Sequence, residues 1–157
     1  MGSGLIVCSR PTPNKVADPL RFTIPGPPVA KGRPRVAIRG GKVHGYTPAK
    51  TTSYEGAVRM AFTAAYPGHI PIEGPVSLYV TAYFMPPKCL KPQPGVDLEA
   101  VRHTKPPDAD NVAKAISDAL NGVAWRDDKQ VSDLTVRKRY SPTPCVEVNI
   151  IAAPVID

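Results

Sequence analysis

Three segments of the chain alternate apolar and polar residues, which is the pattern of a β-strand with one buried face. They are 75–84, 131–140 and 145–152, and the first reads PVSLYVTAYF. Two further segments, 49–66 and 109–123, have helical period. Because a sheet with one apolar face must bury that face against another layer, this pattern predicts an α+β fold. We expect a mixed sheet of about five to six strands with two helices packed on it.

Turn residues set the remaining predicted elements. RFTIPG at 21–26 predicts a short strand, and Gly40-Gly41 predicts a hairpin turn between Arg35–Arg39 and Lys42–Tyr46. The SPTP sequence between the last two strands predicts that they form a second hairpin. Residues 86–107 form a long proline-rich loop, and loops of that length are often functional. Residues 1–19 lack periodicity and are predicted to be a flexible tail, so 20–157 would be a single domain.

The composition favours a polyanionic partner. The chain has 157 residues and a formal net charge of +7. Its three cysteines are an odd number without a C-x-x-C pair, which argues against a disulfide framework and a thiolate zinc site. No apolar stretch approaches the length of a membrane span, so a cytoplasmic protein is expected.

The segment KPPDADNVAKAISDALNGVAWRDDKQV, residues 105–131, gathers five aspartates in this basic chain. Such a cluster is costly unless a cation lies among the carboxylates. The two prolines favour extended backbone, so Asp108 and Asp110 can point the same way. The turn at Asp127-Asp128 can return beside the helix start. Three converging carboxylates would suit Mg²⁺, and Lys114, one turn after Asp110, could pair with a carboxylate or reach a bound phosphate.

Each part of this cluster also has a purely structural interpretation. Asp110 and Asn111 are candidate helix caps, and Asp110, Lys114 and Asp118 could form a surface ladder of charges. The Asp127-Asp128 pair could be an ordinary turn. Taken together, beside a strongly basic remainder, the acids favour a metal site.

Cations away from the acids would serve DNA binding. Between residues 31 and 50 there are six cations and no acid, although a solvated hairpin would show the same pattern. Arg137 and Arg139 share a strand face, and Lys105 and Arg126 flank the acids. His103 is predicted to be a solvent-facing loop residue, and Trp125 is predicted to pack in the core or a dimer interface. The six cations between 31 and 50 are Lys31, Arg33, Arg35, Arg39, Lys42 and Lys50.

The segment 105–131 resembles the signature of the RusA-type Holliday junction resolvases, small phage and prophage endonucleases. The shared pattern is Asp-x-Asp-Asn, a lysine after three residues, Asp-Ala-Leu, and Asp-Asp-x-Gln-Val. The resemblance implies a homodimer that binds a four-way DNA junction and nicks two strands symmetrically with Mg²⁺ or Mn²⁺. It implies catalytic and metal-binding carboxylates at Asp108, Asp110 and Asp128, and a catalytic lysine at Lys114. Metal-assisted hydrolysis of a phosphodiester follows as the expected reaction.

Other functions remain open at this point. A phosphohydrolase or a nucleotidyl-sugar transferase also uses D-x-D, but usually after a long apolar strand, whereas Lys-Pro-Pro precedes it here. A general Mg²⁺-dependent nuclease would share the chemistry. A non-catalytic nucleic-acid-binding module would explain the charge but not the acids.

Overall fold

The computed structural model describes residues 18–33, 35–90, 95 and 97–153, and the predicted tail lies, up to residue 17, outside this part of the chain. The described residues form six strands and two α-helices, which confirms the predicted α+β class. The 86–107 loop, where described, contains one short 3₁₀ helix, and a second one precedes the fifth strand. The elements are β1 (Leu20–Pro25), β2 (Arg35–Arg39), β3 (Lys42–Tyr46), α1 (Ala49–Ala65), β4 (Val76–Phe84), the 3₁₀ helix Leu98–Ala100, α2 (Ala109–Leu120), the 3₁₀ helix Asp128–Gln130, β5 (Val131–Tyr140) and β6 (Cys145–Ala152).

The main sheet has the strand order β1-β6-β4-β5, in which β4 and β5 are parallel and the other pairs antiparallel. The predicted hairpin of 131–140 with 145–152 is therefore wrong, because β4 lies between the two strands. Their link crosses the carboxyl end of β4, where the Ser141 N–H donates to the Phe84 carbonyl at 2.9 Å. β4 takes the inner place because every second residue from Val76 to Ala82 is at most 1% exposed. Burial of this apolar face of β4 favours a central place in the sheet more strongly than the short link between β5 and β6 favours a hairpin.

Both helices pack on one face of the sheet and form a continuous apolar core with it. Ile24, Leu78 and Ile150 supply the sheet side of the core, and Phe62 and Ile116 supply part of the helix side. The alternate residues of each strand point to the opposite face, on which neither α1 nor α2 packs. This layering leaves the polar side of α2 on the surface.

The β2–β3 hairpin forms a separate two-stranded sheet. Gly40 and Gly41 have φ of +57° and +74°, as a two-residue hairpin turn with both central residues left-handed requires. The hairpin begins beside α2, since the Lys31 N–H donates to the Asn111 carbonyl at 2.9 Å. The Gly32 N–H donates to Thr51 Oγ1 on α1 at 3.1 Å. Lys31 and Gly32 form the root of the hairpin, which is thus fixed to both helices.

Helix α2 begins with Asp108 as its N-cap residue, in extended backbone with φ −69° and ψ 149°. The Asp108 carbonyl accepts the Val112 N–H at 3.2 Å, but its carboxylate makes no capping hydrogen bond. The expectation that Asp110 or Asn111 caps the helix is therefore wrong, because Asp110 already lies in the first turn. No helix of the described ranges has the length and apolar character needed to cross a bilayer.

Candidate active site

The backbone that leads into α2 is fixed against β5. The His103 N–H donates to the Lys138 carbonyl at 3.1 Å. The Lys138 ammonium donates to the carbonyl oxygens of Lys105 at 2.7 Å and Pro107 at 2.6 Å. Asp108 follows directly, so its position depends on a segment that is held at both ends.

Asp108 and Asp110 are both exposed at the amino end of α2. Within the described ranges, neither carboxylate has a hydrogen-bond or ion-pair partner. The same holds for the exposed ammonium of Lys114, one turn further along the helix. The partial positive charge of a helix N-terminus favours anions there. Two carboxylates without protein partners therefore remain available to bind a cation.

Asp128 is anchored against the same face of α2. Its Oδ1 accepts hydrogen bonds from Ser117 Oγ at 3.2 Å and from Trp125 Nε1 at 3.1 Å. Trp125 is fully buried, so the core holds the donor in place. Ser117 lies on the stripe that contains Asp110, about 10 Å further along the helix axis. Asp128 therefore lies beside the polar stripe of α2, with Oδ2 available for a ligand.

The acids offer the oxygen donors that Mg²⁺ prefers. In the part of the chain that the structure describes, no group of three or more His, Cys, Asp or Glu side chains could hold a metal ion by itself. However, Mg²⁺ usually binds one or two carboxylates and takes its other ligands from water and substrate phosphates. The Asp108–Asp110 pair fits that requirement. The assignment of Asp108, Asp110 and Asp128 as metal ligands stays a prediction.

Asp127 has a structural role. Its carboxylate accepts the Lys129 N–H at 3.0 Å, and the Asp127 N–H donates to Gln130 Oε1 at 2.8 Å. The backbone N–H and then the side chain of Lys129 lower the pKa of Asp127. This capping box opens the 3₁₀ helix that carries Asp128, so Asp127 fixes the turn.

Asp118 belongs to an ion-pair network that the sequence did not indicate. Lys31 Nζ lies 2.6 Å from a carboxylate oxygen of Asp118 and 2.6 Å from one of Glu55 on α1. Burial alone would lower the pKa of Lys31, but the hydrogen bonds and charges of these two carboxylates raise it. Lys31, predicted to contact DNA, thus has its charge matched inside the protein, where it joins the hairpin root to α1 and α2.

The other predicted DNA-binding residues form two groups. The cations of the hairpin are exposed. Arg35 and Arg39 lie on the same face because they are four residues apart on one strand, and Lys42 lies on that face because it pairs directly with Arg39. Those elsewhere are dispersed: Arg126 pairs with Glu73, and Arg139 Nη1 donates to the Lys138 carbonyl at 2.9 Å. The remaining predicted contacts, all exposed, are Arg33, Lys105 and Arg137.

His103 is half-buried against aromatic rings, so the expectation of a solvent-facing residue is wrong. Its ring stacks on Phe84 with centroids 4.0 Å apart and lies 5.0 Å from the ring of Tyr140. Burial, followed by the charge of Lys138, lowers the pKa of His103. The apolar residues at the carboxyl ends of β4 and β5 form this environment, which sequence proximity to the acids could not reveal.

Sequence reasoning also missed the roles of Lys138, Ser117 and Trp125 around the acids. One signal for Lys138 was present: it follows Leu134 and Val136 on the strand face where alternation calls for an apolar residue. A lysine at such a position needs an acceptor nearby. No comparable pattern marks Ser117 or the indole N–H of Trp125.

Residues 25–151 match the family described as Endodeoxyribonuclease RusA. A relative from Bacillus subtilis (strain 168), named "Uncharacterized protein YqaN", is 43% identical over 137 residues, which cover 85% of this chain and 96% of the relative. The family match includes α2, the capping turn and the strands that hold them.

Proposed function

Because the chain belongs to the RusA endodeoxyribonuclease family, we propose that it is a Mg²⁺-dependent endonuclease that resolves four-way DNA junctions by paired, symmetric nicks. Mn²⁺ is proposed to replace Mg²⁺. The proposed active form is a homodimer, since two symmetric nicks call for two equivalent sites. The proposed setting is DNA recombination and repair in the cytoplasm of a bacterial or phage-infected cell.

One observation carries this proposal: Asp108 and Asp110 present carboxylates at the start of α2 that have no partner among the described residues. Asp108 and Asp110 would hold Mg²⁺, and Asp128 would contribute Oδ2. When bound, Mg²⁺ polarises the phosphodiester and lowers the pKa of a coordinated water. Ser117 and Trp125 keep Asp128 oriented through their hydrogen bonds to Oδ1.

Lys114 is proposed to act on the phosphate itself. Its ammonium is exposed on the polar stripe of α2, one turn from Asp110, and pairs with no carboxylate among the described residues. Negative charge grows on the phosphate oxygens during hydrolysis, and a fixed cation stabilises that charge. Lys114 therefore stabilises the transition state in this account.

The hairpin is proposed to bind the DNA backbone. Arg35, Arg39 and Lys42 present three cations on one face, and the hairpin root is tied to α2 through Lys31 and Asp118. The cations proposed to bind phosphates are thereby connected to the helix that carries the proposed catalytic acids, through the ion-paired segment that precedes the hairpin. Arg33, Lys105, Arg126, Arg137 and Arg139 are proposed as further phosphate contacts at the edges of the bound DNA.

Replacing Arg35, Arg39 and Lys42 together by glutamine should weaken binding to every DNA and reduce its salt dependence. Each lost phosphate contact lowers the slope of log affinity against log salt by about 0.9, so the slope should fall by about two to three. Fluorescence anisotropy in EDTA at several salt concentrations measures it. Lys88→Gln, on an exposed loop lysine, is the control and should leave the slope within about one unit of the parent value. An unchanged slope in the triple variant would exclude the hairpin from the phosphate contacts.

The function itself is tested with a labelled four-way junction and a linear duplex of the same arm sequences, each with Mg²⁺ or with EDTA. The proposal expects paired nicks placed symmetrically about the crossover, seen with Mg²⁺ and lost with EDTA. Equal cutting of the linear duplex would instead establish a general nuclease. Tight junction binding without cutting in Mg²⁺ or Mn²⁺ would establish a non-catalytic binding module.

A further inference from the structure

Lys138 occupies an unusual position on β5. It is paired in register with Ala82, which is fully buried, so its side chain emerges on the sheet face that carries the helices. Its stem passes the ring of Phe84, whose centroid lies 5.9 Å from the ammonium. A charged group that starts from the core side of a strand must find hydrogen-bond acceptors before it reaches solvent.

The acceptors that Lys138 finds are backbone oxygens. Its ammonium donates to the carbonyls of Lys105 and Pro107, and in the described ranges no carboxylate lies within ion-pair distance of it. Hydrogen bonds from a charged donor are stronger than neutral ones. The contact therefore fixes the backbone of the 105–107 segment while the charge of Lys138 remains unneutralised.

Residues 105–107 can form few other backbone hydrogen bonds. Pro106 and Pro107 have no N–H, so neither can donate a backbone hydrogen bond. The Pro107 carbonyl belongs to the peptide group that joins Pro107 to Asp108, so the ammonium sets the plane from which Asp108 starts. The Lys138 carbonyl holds the other end of the segment through the His103 N–H.

We propose that Lys138 is a positioning residue for the metal site, because it clamps residues 103–107 and thereby directs the Asp108 carboxylate. The inference rests on the proposed metal-dependent function. It assigns Lys138 no contact with DNA or metal. Its removal should therefore act on metal affinity and on the order of the segment, and should leave DNA affinity nearly unchanged.

Four variants separate these effects. Lys138→Met removes the ammonium but keeps the stem, Lys138→Gln keeps a neutral donor, and Lys138→Arg keeps a charged donor that can reach carbonyl oxygens. Lys88→Gln removes one charge from an exposed loop lysine that has no assigned role in metal or DNA binding. It controls for the loss of a cation from the protein.

Two readouts are measured on each purified variant. The first is the Mn²⁺ dissociation constant of the free protein, from electron paramagnetic resonance titration, together with the Mg²⁺ midpoint of junction cleavage. The second is hydrogen exchange of the amides of residues 103–105 and 108, together with the NMR titration of His103. Junction affinity in EDTA is measured alongside.

The proposal expects Lys138→Met to weaken Mn²⁺ binding about 10- to 100-fold, as changes behind metal ligands typically do. Exchange of the amides of residues 103–105 and 108 should accelerate, above all that of the hydrogen-bonded His103 N–H, and the pKa of His103 should rise as the neighbouring charge is lost. Lys138→Arg should show Mn²⁺ affinity and amide exchange close to those of the parent. Lys138→Gln should show values between those of Lys138→Met and the parent. Lys88→Gln should leave Mn²⁺ binding, amide exchange and the pKa of His103 unchanged, while Lys138→Met should keep junction affinity within a few-fold of the parent.

Two results would overturn the proposal. One is an unchanged Mn²⁺ constant in Lys138→Met and Lys138→Gln, whether or not exchange accelerates. The other is a loss of DNA affinity in Lys138→Met that exceeds the change in metal binding. If the parent binds Mn²⁺ but cuts no DNA, the nuclease proposal fails and the role of Lys138 can still be decided from metal binding and exchange.

Discussion

Replacing Asp110 by asparagine is expected to reduce junction cleavage roughly 10²- to 10³-fold while junction binding stays equal or becomes tighter. The change removes one negative charge and replaces a carboxylate oxygen with a weaker amide ligand for Mg²⁺. The fold should be unaffected, because Asp110 is exposed and makes no hydrogen bond or ion pair with the described residues. Less repulsion between the site and the DNA phosphates should favour binding. Single-turnover cleavage of a labelled junction gives the rate, and anisotropy in EDTA gives the affinity.

Asp97→Asn is the matched control for this change. Asp97 is also an exposed aspartate at the start of a helical turn, where its carboxylate accepts the Glu99 N–H at 3.0 Å. Asparagine keeps an acceptor at that position. Cleavage by this variant should match the parent. If Asp110→Asn cuts as fast as the parent, the catalytic assignment of the start of α2 is wrong.

Replacing Trp125 by alanine should lower the free energy of unfolding by about 3–5 kcal/mol. Trp125 is among the largest fully buried side chains of the described chain, so its truncation leaves a cavity in the core between α2 and the sheet. The same change removes the N–H that donates to Asp128. Since the stability of a domain is typically about 5–15 kcal/mol, this loss is a large fraction of the total. Urea unfolding followed by far-UV circular dichroism measures it, because Trp125 is the single tryptophan and fluorescence is lost with it.

Two companion variants separate packing from hydrogen bonding. Trp125→Phe fills much of the site but lacks the N–H, so it should be less destabilised and should still cut more slowly, because Asp128 has lost one of its two donors. Tyr79→Ala truncates an aromatic residue that is 39% exposed on the open face of the sheet, and it should cost much less. A Trp125→Ala protein as stable as the Tyr79→Ala protein would contradict the buried role of the indole.

The strands and helices could be predicted because their signal is local. The alternation of β4 and the 3.6-residue period of α2 depend only on neighbouring residues, and the glycine pair of the β2–β3 hairpin sets its turn. The pairing of β5 could not be predicted in that way. Two alternating strands with a four-residue link suggest a hairpin, but the more buried β4 takes the place between them, and that choice depends on the whole core.

The candidate site likewise has features that could be predicted from local sequence and features that could not. Its carboxylates were identified from residue type and spacing, because a pair of acids after two prolines is visible in the sequence. Lys31 is predicted from the sequence to contact DNA, whereas two carboxylates from different helices pair with it in the structure. The hydrogen bonds of Lys138 and Trp125 depend on atoms that are distant along the chain or hidden in the core, so the tertiary structure was needed to reveal these contacts.

One titration tests the central claim most directly: binding of Mn²⁺ to the DNA-free protein, compared with binding to the Asp108→Asn/Asp110→Asn double variant, with Asp97→Asn as the charge-altered control. The account predicts saturable binding to the parent and to the control, displaced by excess Mg²⁺, and at least about 100-fold weaker binding to the double variant. Mn²⁺ binding that is as tight in the double variant as in the parent would contradict the assignment of the metal to the start of α2.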